Sequence, residues 1–96
     1  MSTRRSPDWP AVRKNHLQQE AACVACGVTD HLEVHHIVPF HVDPTLELVQ
    51  TNLITLCERP GHDCHFVFGH FHDWYLYNPA VRSMAVAYLQ AEKQAP

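Results

Sequence analysis

The placement of four cysteines constrains this chain more than any other feature. They stand as Cys23-x2-Cys26 and, 30 residues later, as Cys57-x6-Cys64. A two-residue spacing lets two thiolates reach one ion from a single turn. A second pair brought alongside completes a closed tetrahedral Zn²⁺ site, which is structural because no coordination position stays open. Its binding energy is folding energy. A chain of 96 residues needs such a staple, because a domain this small buries little apolar surface. Three alternatives compete with zinc. Disulfides belong to oxidising compartments. Residues 1–10 are polar and basic, with no apolar run behind them, so no secretory leader is expected and a cytoplasmic location is. A redox Cys-x-x-Cys has no use for the second pair. Four unrelated core cysteines would be a coincidence. The gap between Cys57 and Cys64 is longer than the usual two residues, and His62 inside it is the alternative fourth ligand in place of Cys57 or Cys64.

Histidine is the second unusual number. There are nine, well above ordinary usage, and neutral imidazole is both a common metal ligand and a general base at neutral pH. Charge is unevenly spread. Residues 1–14 hold four basic groups against one acidic, whereas residues 15–96 hold three against nine, for a net −3. A protein held to nucleic acid by phosphate contacts alone would be basic throughout. Phosphate contacts therefore fall to Arg4, Arg5, Arg13 and Lys14, with Arg59 farther along, although a basic terminus also serves solubility. No apolar stretch approaches the roughly 20 residues of a membrane helix.

The periodicities predict one domain of the α+β class over residues 1–96, with a core motif over 23–78. Trp9, Val12, Leu17 and Ala21 recur at helical spacing after a candidate N-cap, Asp8, and a first-turn Pro10. They predict a helix over about 9–21. Cys23 to Asp30 is a turn around Gly27, and Leu32 to Val38 reads as a strand ended by Pro39. Phe40 to Thr51 is a long packed loop, which in so small a domain is usually functional. Leu53 to Cys57 is a second strand. Pro60-Gly61 forces a turn, and a helix is expected from Asp63 into the mid 70s, broken by Asn78-Pro79. Val81, Met84, Ala85, Tyr88 and Leu89 predict a last amphipathic helix over about 80–91. Trp74, Tyr75 and Tyr77 are expected in the core rather than as a base-stacking platform. His16, His31, His41 and His72 are expected on the surface, with His41 within reach of a phosphate.

His35-His36 closes the first strand. Neighbouring strand residues face opposite ways, so these two imidazoles have different tasks, one toward a metal and one toward solvent or substrate. His65 follows Cys64 directly, so an ion on Cys64 also positions His65. The ordered set Glu33-Val34-His35-His36-Ile37-Val38-Pro39, Asn52-Leu53-Ile54-Thr55-Leu56-Cys57 and Cys64-His65 resembles the HNH endonuclease family. More narrowly it is similar to small phage-type HNH nicking enzymes with a cysteine zinc site, as are Phe68-Gly69-His70, Trp74 and Asn78.

The resemblance implies a ββα-metal motif with flanking helices, stapled by zinc, with one catalytic divalent ion in its crevice. It assigns His36 as general base, His35 and His65 as metal ligands, and Asn52 as the side chain that braces the loop and aims the base. A further ligand in the family commonly follows one helical turn after the second histidine, where this chain has Gly69. His70 becomes the third ligand only where the helix ends or bulges at Gly69, because five residues of α-helix carry it about 140° round. The implied activity is divalent-metal-dependent hydrolysis of DNA, with Mn²⁺ suiting the nitrogen donors better than Mg²⁺. One site per chain implies nicking by a monomer or weak dimer. Phage packaging or restriction proteins are candidate partners. Two other classes compete: a non-catalytic zinc module that binds nucleic acid or protein, and a subunit active only within such an assembly.

Overall fold

The computed structural model describes residues 5–94. Helix α1 spans Trp9–Gln19, strand β1 Leu32–His36, strand β2 Leu53–Cys57 and helix α2 Val81–Gln94. A single turn of π-helix, His65–Gly69, lies between β2 and α2. The two strands pair antiparallel from Leu32↔Cys57 to His36↔Leu53. Asn52 O accepts one further bond, from Ile37 N–H at 2.8 Å. This small α+β arrangement, with its clustered cysteines, matches the expected ββα-metal fold.

β2 is the spine. All five of its residues are buried, as expected of a short apolar run covered on both faces. The core gathers Ile54, Leu56 and Cys57 of β2 with Cys23, Ala25, Cys64, and Val81 and Ala85 of α2. Cysteines therefore make up much of the interior, and what they bind decides how well it holds. The Cys23–Gly27 turn is tied to β2 by Val24 N–H donating to Thr55 O at 3.0 Å. Gly27 takes a left-handed φ of 82°, where glycine is the unstrained choice.

Glu20, immediately after α1, joins three elements. Its carboxylate accepts from Thr55 N–H at 2.8 Å, from Arg82 at 2.8 and 3.2 Å, and faces His16 Nε2 at 3.0 Å. Arg82 also donates to Leu53 O at 2.9 Å. Burial pushes the Glu20 carboxyl upward. The Arg82 hydrogen bond and charge, with the Thr55 and His16 bonds, outweigh that and hold it below the usual range.

Several sequence expectations need correction. α1 stops at Gln19, and Asp8 sits at its N-cap without a side-chain capping bond, its backbone already helical (φ −83°, ψ −10°) rather than in the extended region usual for a capping side chain. His16 is buried rather than on the surface, bonded to Gln50 and Glu20. β1 ends at His36, short of Val38, because the chain must turn there to let Asn52 grip Val38. No long helix follows Asp63. Its carboxylate caps Phe66 N–H at 3.1 Å, but the turn ends at Gly69, and left-handed backbone at Phe71 and His72 forbids continuation. α2 runs on to Gln94, past the expected end. Trp74, Tyr75 and Tyr77 are exposed, not core.

Candidate metal and catalytic site

Two clusters of candidate metal ligands are found among the described residues. The first is Cys23, Cys26, Cys57 and Cys64, whose sulfurs lie within 4.8 Å of one another. All four are free thiols, so no disulfide competes for them. Cys26 and Cys57 sulfurs are 3.6 Å apart, close to the edge of a tetrahedron built on Zn–S bonds of about 2.3 Å. The six-residue gap closes as a tight hairpin, with an Arg59↔His62 bridge and Gly61 at φ 76°. That hairpin brings Cys64 back to Cys57. The His62 side chain stays exposed and only its carbonyl meets Cys57, so the fourth place belongs to cysteine. A hydrogen bond from Cys64 and then backbone N–H groups, working against burial, lower the Cys23 thiol to about 4. The Cys64 thiol is pushed up by that same bond and by burial, and burial raises Cys26 to about 11. Crowded sulfurs of this kind lose their remaining protons readily only to a cation, and this set fits a structural zinc.

The second cluster is His35, His65 and His70. His35 Nδ1 and His65 Nε2 are 3.0 Å apart, and the ring centroids of the three lie 4.8 to 5.0 Å from one another. Two imidazole nitrogens on one ion at bond lengths of about 2.1 Å come that close when they sit at adjacent coordination positions. Two of the outer nitrogens have partners that fix the tautomer. His65 Nδ1 meets Glu58 Oε1 at 3.2 Å, and His70 Nδ1–H donates to Leu76 O at 2.7 Å. His35 Nε2 is buried without a hydrogen-bond partner. His35 is 3% exposed, and its pKa is lowered to about 3, first by burial and then by the neighbouring histidines. Three imidazole nitrogens facing one another suit a divalent ion.

The π turn explains how His70 joins. In this winding residue i+5 takes roughly the bearing that i+4 has in an α-helix, so His70 falls on the same side of the turn as His65, with ring centroids 5.0 Å apart. Gly69 passes beneath the His35 ring. A Cβ there would lie 3.1 Å from His35 Cε1 and Nε2.

His36 points elsewhere. Its Nε2–H donates to Glu47 O at 2.9 Å, and its ring packs on Trp9 at 4.4 Å between centroids. A carbonyl only accepts, so the proton sits on Nε2 and Nδ1 keeps its lone pair. Burial, aided by Arg5 and opposed by the Glu47 carbonyl, keeps the imidazole pKa below its usual value. The group is a free base at neutral pH.

Asn52 fastens the loop that carries Glu47. Its Oδ1 accepts from Val38 N–H at 2.8 Å, and its Nδ2 donates to Val38 O and Leu46 O, each at 3.1 Å. Sequence reasoning missed the Glu47 side chain. It is 5% exposed, accepts from Ser6 N–H at 3.0 Å and lies 3.8 Å from Arg5. It thereby holds the amino-terminal segment against the loop, with the Arg5 guanidinium 4.6 Å over the Phe40 ring. No local pattern announces this, because the partners are 41 residues apart.

These groups open on a cleft of about 480 Å³ lined by His35, His36, His65 and His70, with Arg5, Trp74 and Tyr75 on its walls. His41 lines it too, and is exposed. The candidate phosphate contacts do not all gather there. Arg13 is paired with Glu33 at 3.0 Å, Lys14 lies exposed on α1, and Arg59 sits on the zinc-side hairpin. Arg4 falls outside the described residues.

The HNH endonuclease family model matches residues 23–65, from the first cysteine to the second clustered histidine. The chain carries an HNH endonuclease motif. The match stops short of His70 and Trp74, so the third imidazole is known from the geometry alone. HNH domains are in general metal-binding, DNA-binding nucleases, which supports a hydrolase here. No curated protein and no solved structure matches the chain significantly. No helix among the described residues is long and apolar enough to cross a membrane.

Proposed function

We propose that this chain is a divalent-metal-dependent DNA endonuclease that cuts one strand per encounter and leaves 5′-phosphate and 3′-hydroxyl ends. The observation that carries this reading is the pairing of a free-base His36 Nδ1, held by Glu47 O, with three clustered imidazoles in the same cleft. His35, His65 and His70 hold the ion, with Mn²⁺ suiting them better than Mg²⁺. When bound, that ion supplies positive charge against the phosphate and its leaving oxygen. His36 Nδ1 takes a proton from the attacking water. The imidazolium that forms is steadied at Nε2, where Glu47 O already accepts its hydrogen. Arg5 meets the phosphate from the cleft wall. Asn52 keeps the loop, and so the base, in place. The cysteines hold a structural zinc that fixes His65 through its neighbour Cys64.

The test is supercoiled plasmid at low salt, with and without added Mn²⁺ or Mg²⁺, using wild type and His36→Ala. Metal-dependent nicked circles that vanish with His36→Ala are expected. Linear product without a nicked intermediate refutes cutting one strand at a time, and 3′-phosphate ends refute the chemistry. A folded, zinc-loaded chain that never nicks moves the reading to a zinc-stabilised binding module.

A further inference from the structure

The segment between the π turn and α2 forms a hydrogen-bonded lobe. Asp73 organises it: its N–H donates to His70 O, its carbonyl accepts from Leu76 N–H, and its carboxylate accepts from Tyr75 N–H, each at 2.9 Å. Asn78, buried, closes the lobe by donating to Phe68 O at 2.9 Å. Phe71 and His72 hold left-handed φ of 53° and 64°. That backbone is costly for a bulky residue, and such strain concentrates at functional sites. These bonds do not bury the lobe's rings. The lobe leaves Tyr75 94% and Trp74 55% exposed, with Phe71, Leu76 and Tyr77 exposed beside them. Trp74 is in place beside the reaction centre, with its ring 4.8 Å from His70 and 5.3 Å from His65. Trp74, Tyr75 and Leu76 line the same cleft as His36.

The cations are placed in the complementary way. Among the described residues only Arg5 lines the cleft. Arg13 and Arg82 are paired with Glu33 and Glu20, Lys14 lies exposed on α1 and Lys93 in the last turn of α2, neither lining the cleft, Arg59 is on the zinc-side hairpin, and the chain carries net −3. Tracking a duplex requires a row of phosphate contacts, and among the described residues the cleft wall offers Arg5 alone of the arginines and lysines. Unpaired strands are held by aromatic rings, on which every base can stack.

We propose that the Phe71–Tyr77 lobe is a nucleobase-stacking platform, and that the preferred substrate is DNA with unpaired bases beside the scissile phosphate. This rests on the nuclease reading for the cutting step. Stacking itself needs no cleavage, so binding separates the two.

The experiment measures anisotropy of a labelled 12-nucleotide single strand and of the matching blunt duplex. It uses the full zinc-loaded chain without added divalent ion, so cleavage plays no part. Wild type is expected to bind the single strand at least about tenfold more tightly. Tyr75→Ala is expected to weaken single-strand binding roughly fivefold or more, the loss typical of one stacked base, while Tyr75→Phe keeps it. The ring of Tyr75 touches little of the fold, so these variants leave the melting temperature unchanged. Equal or tighter binding of the duplex overturns the proposal, as does Tyr75→Ala binding single strands like wild type. Either result carries the same meaning whether or not the chain nicks plasmid.

Discussion

Asn52→Asp is the sharpest single-atom test of how the loop is held. The replacement keeps Oδ1 as acceptor for Val38 N–H at 2.8 Å. It exchanges Nδ2, which spends both its hydrogens on Val38 O and Leu46 O at 3.1 Å, for a second oxygen. Two donated bonds are lost, each worth about 1 kcal/mol net. A carboxylate oxygen is then pressed against two carbonyls at a site that is 7% exposed, which adds about 1–2 kcal/mol of desolvation and repulsion. The expected loss at pH 7.5 is about 3–4 kcal/mol, or at least about 10 °C in melting temperature for a domain this size. The deficit should shrink near pH 5, where the new carboxyl begins to protonate and regains one donor. Asn52→Ala lacks that pH dependence. Thermal melts by circular dichroism at both pH values read the stability. The plasmid assay reads the second effect, because the loosened loop is the one that presents Glu47 O to His36. A variant within about 0.5 kcal/mol of wild type at pH 7.5, with unchanged nicking, would mean that the loop does not depend on these bonds.

Three further outcomes follow from the same geometry. Gly69→Ala places a methyl about 3.1 Å from the His35 ring and should cut Mn²⁺ affinity about 10- to 100-fold in calorimetric titration, the usual effect of disturbing a ligand's support, with the far-ultraviolet spectrum retained; unchanged affinity would show that the ring yields freely. Stripping metal from the four cysteines should unfold the chain, since Cys23, Cys57 and Cys64 are themselves core residues, and a chelated protein melting at its original temperature would contradict the zinc staple. His35, His36 and His65 all have pKa values held down by burial, so the unfolded chain binds their protons more readily. Their share of stability is complete above the ordinary histidine value of 6.5 and is lost as pH falls through it, for His35 down to about 3, so a melting temperature that stays flat between pH 7.5 and 5 would refute the burial argument.

What could be read from the sequence was local. Leu53–Cys57 declared itself as a strand because five apolar or β-branched residues sit between a polar Asn52 and Glu58. The cysteine spacing and the HNH order located two ligand clusters, because a ligand set must come from short turns and strand ends. What could not be read depended on distant partners. His16 looked like a surface residue until Gln50, 34 positions away, covered it. Glu20 and Glu47 stand in no local pattern that singles them out, although each ties together segments far apart in the chain. Trp74 and Tyr75 looked like core because large rings usually are, and nothing in composition says that a loop will hold them out. The missing helix after Asp63 failed for another reason: its apolar residues fit helical spacing, but Phe71 and His72 adopt a backbone that L-residues seldom take.

The winding at His65–Gly69 has a consequence for recognising relatives of this chain. A search that counts four places on from His65 arrives at a residue with no side chain and would discard the sequence as inactive. One extra residue per turn absorbs the slip and delivers His70 to the direction an ordinary helix would have given its predecessor. In this chain the third imidazole is therefore kept although the residue four places on from His65 has no side chain. What places a ligand here is its bearing around the helix axis, which a count of residues alone does not give.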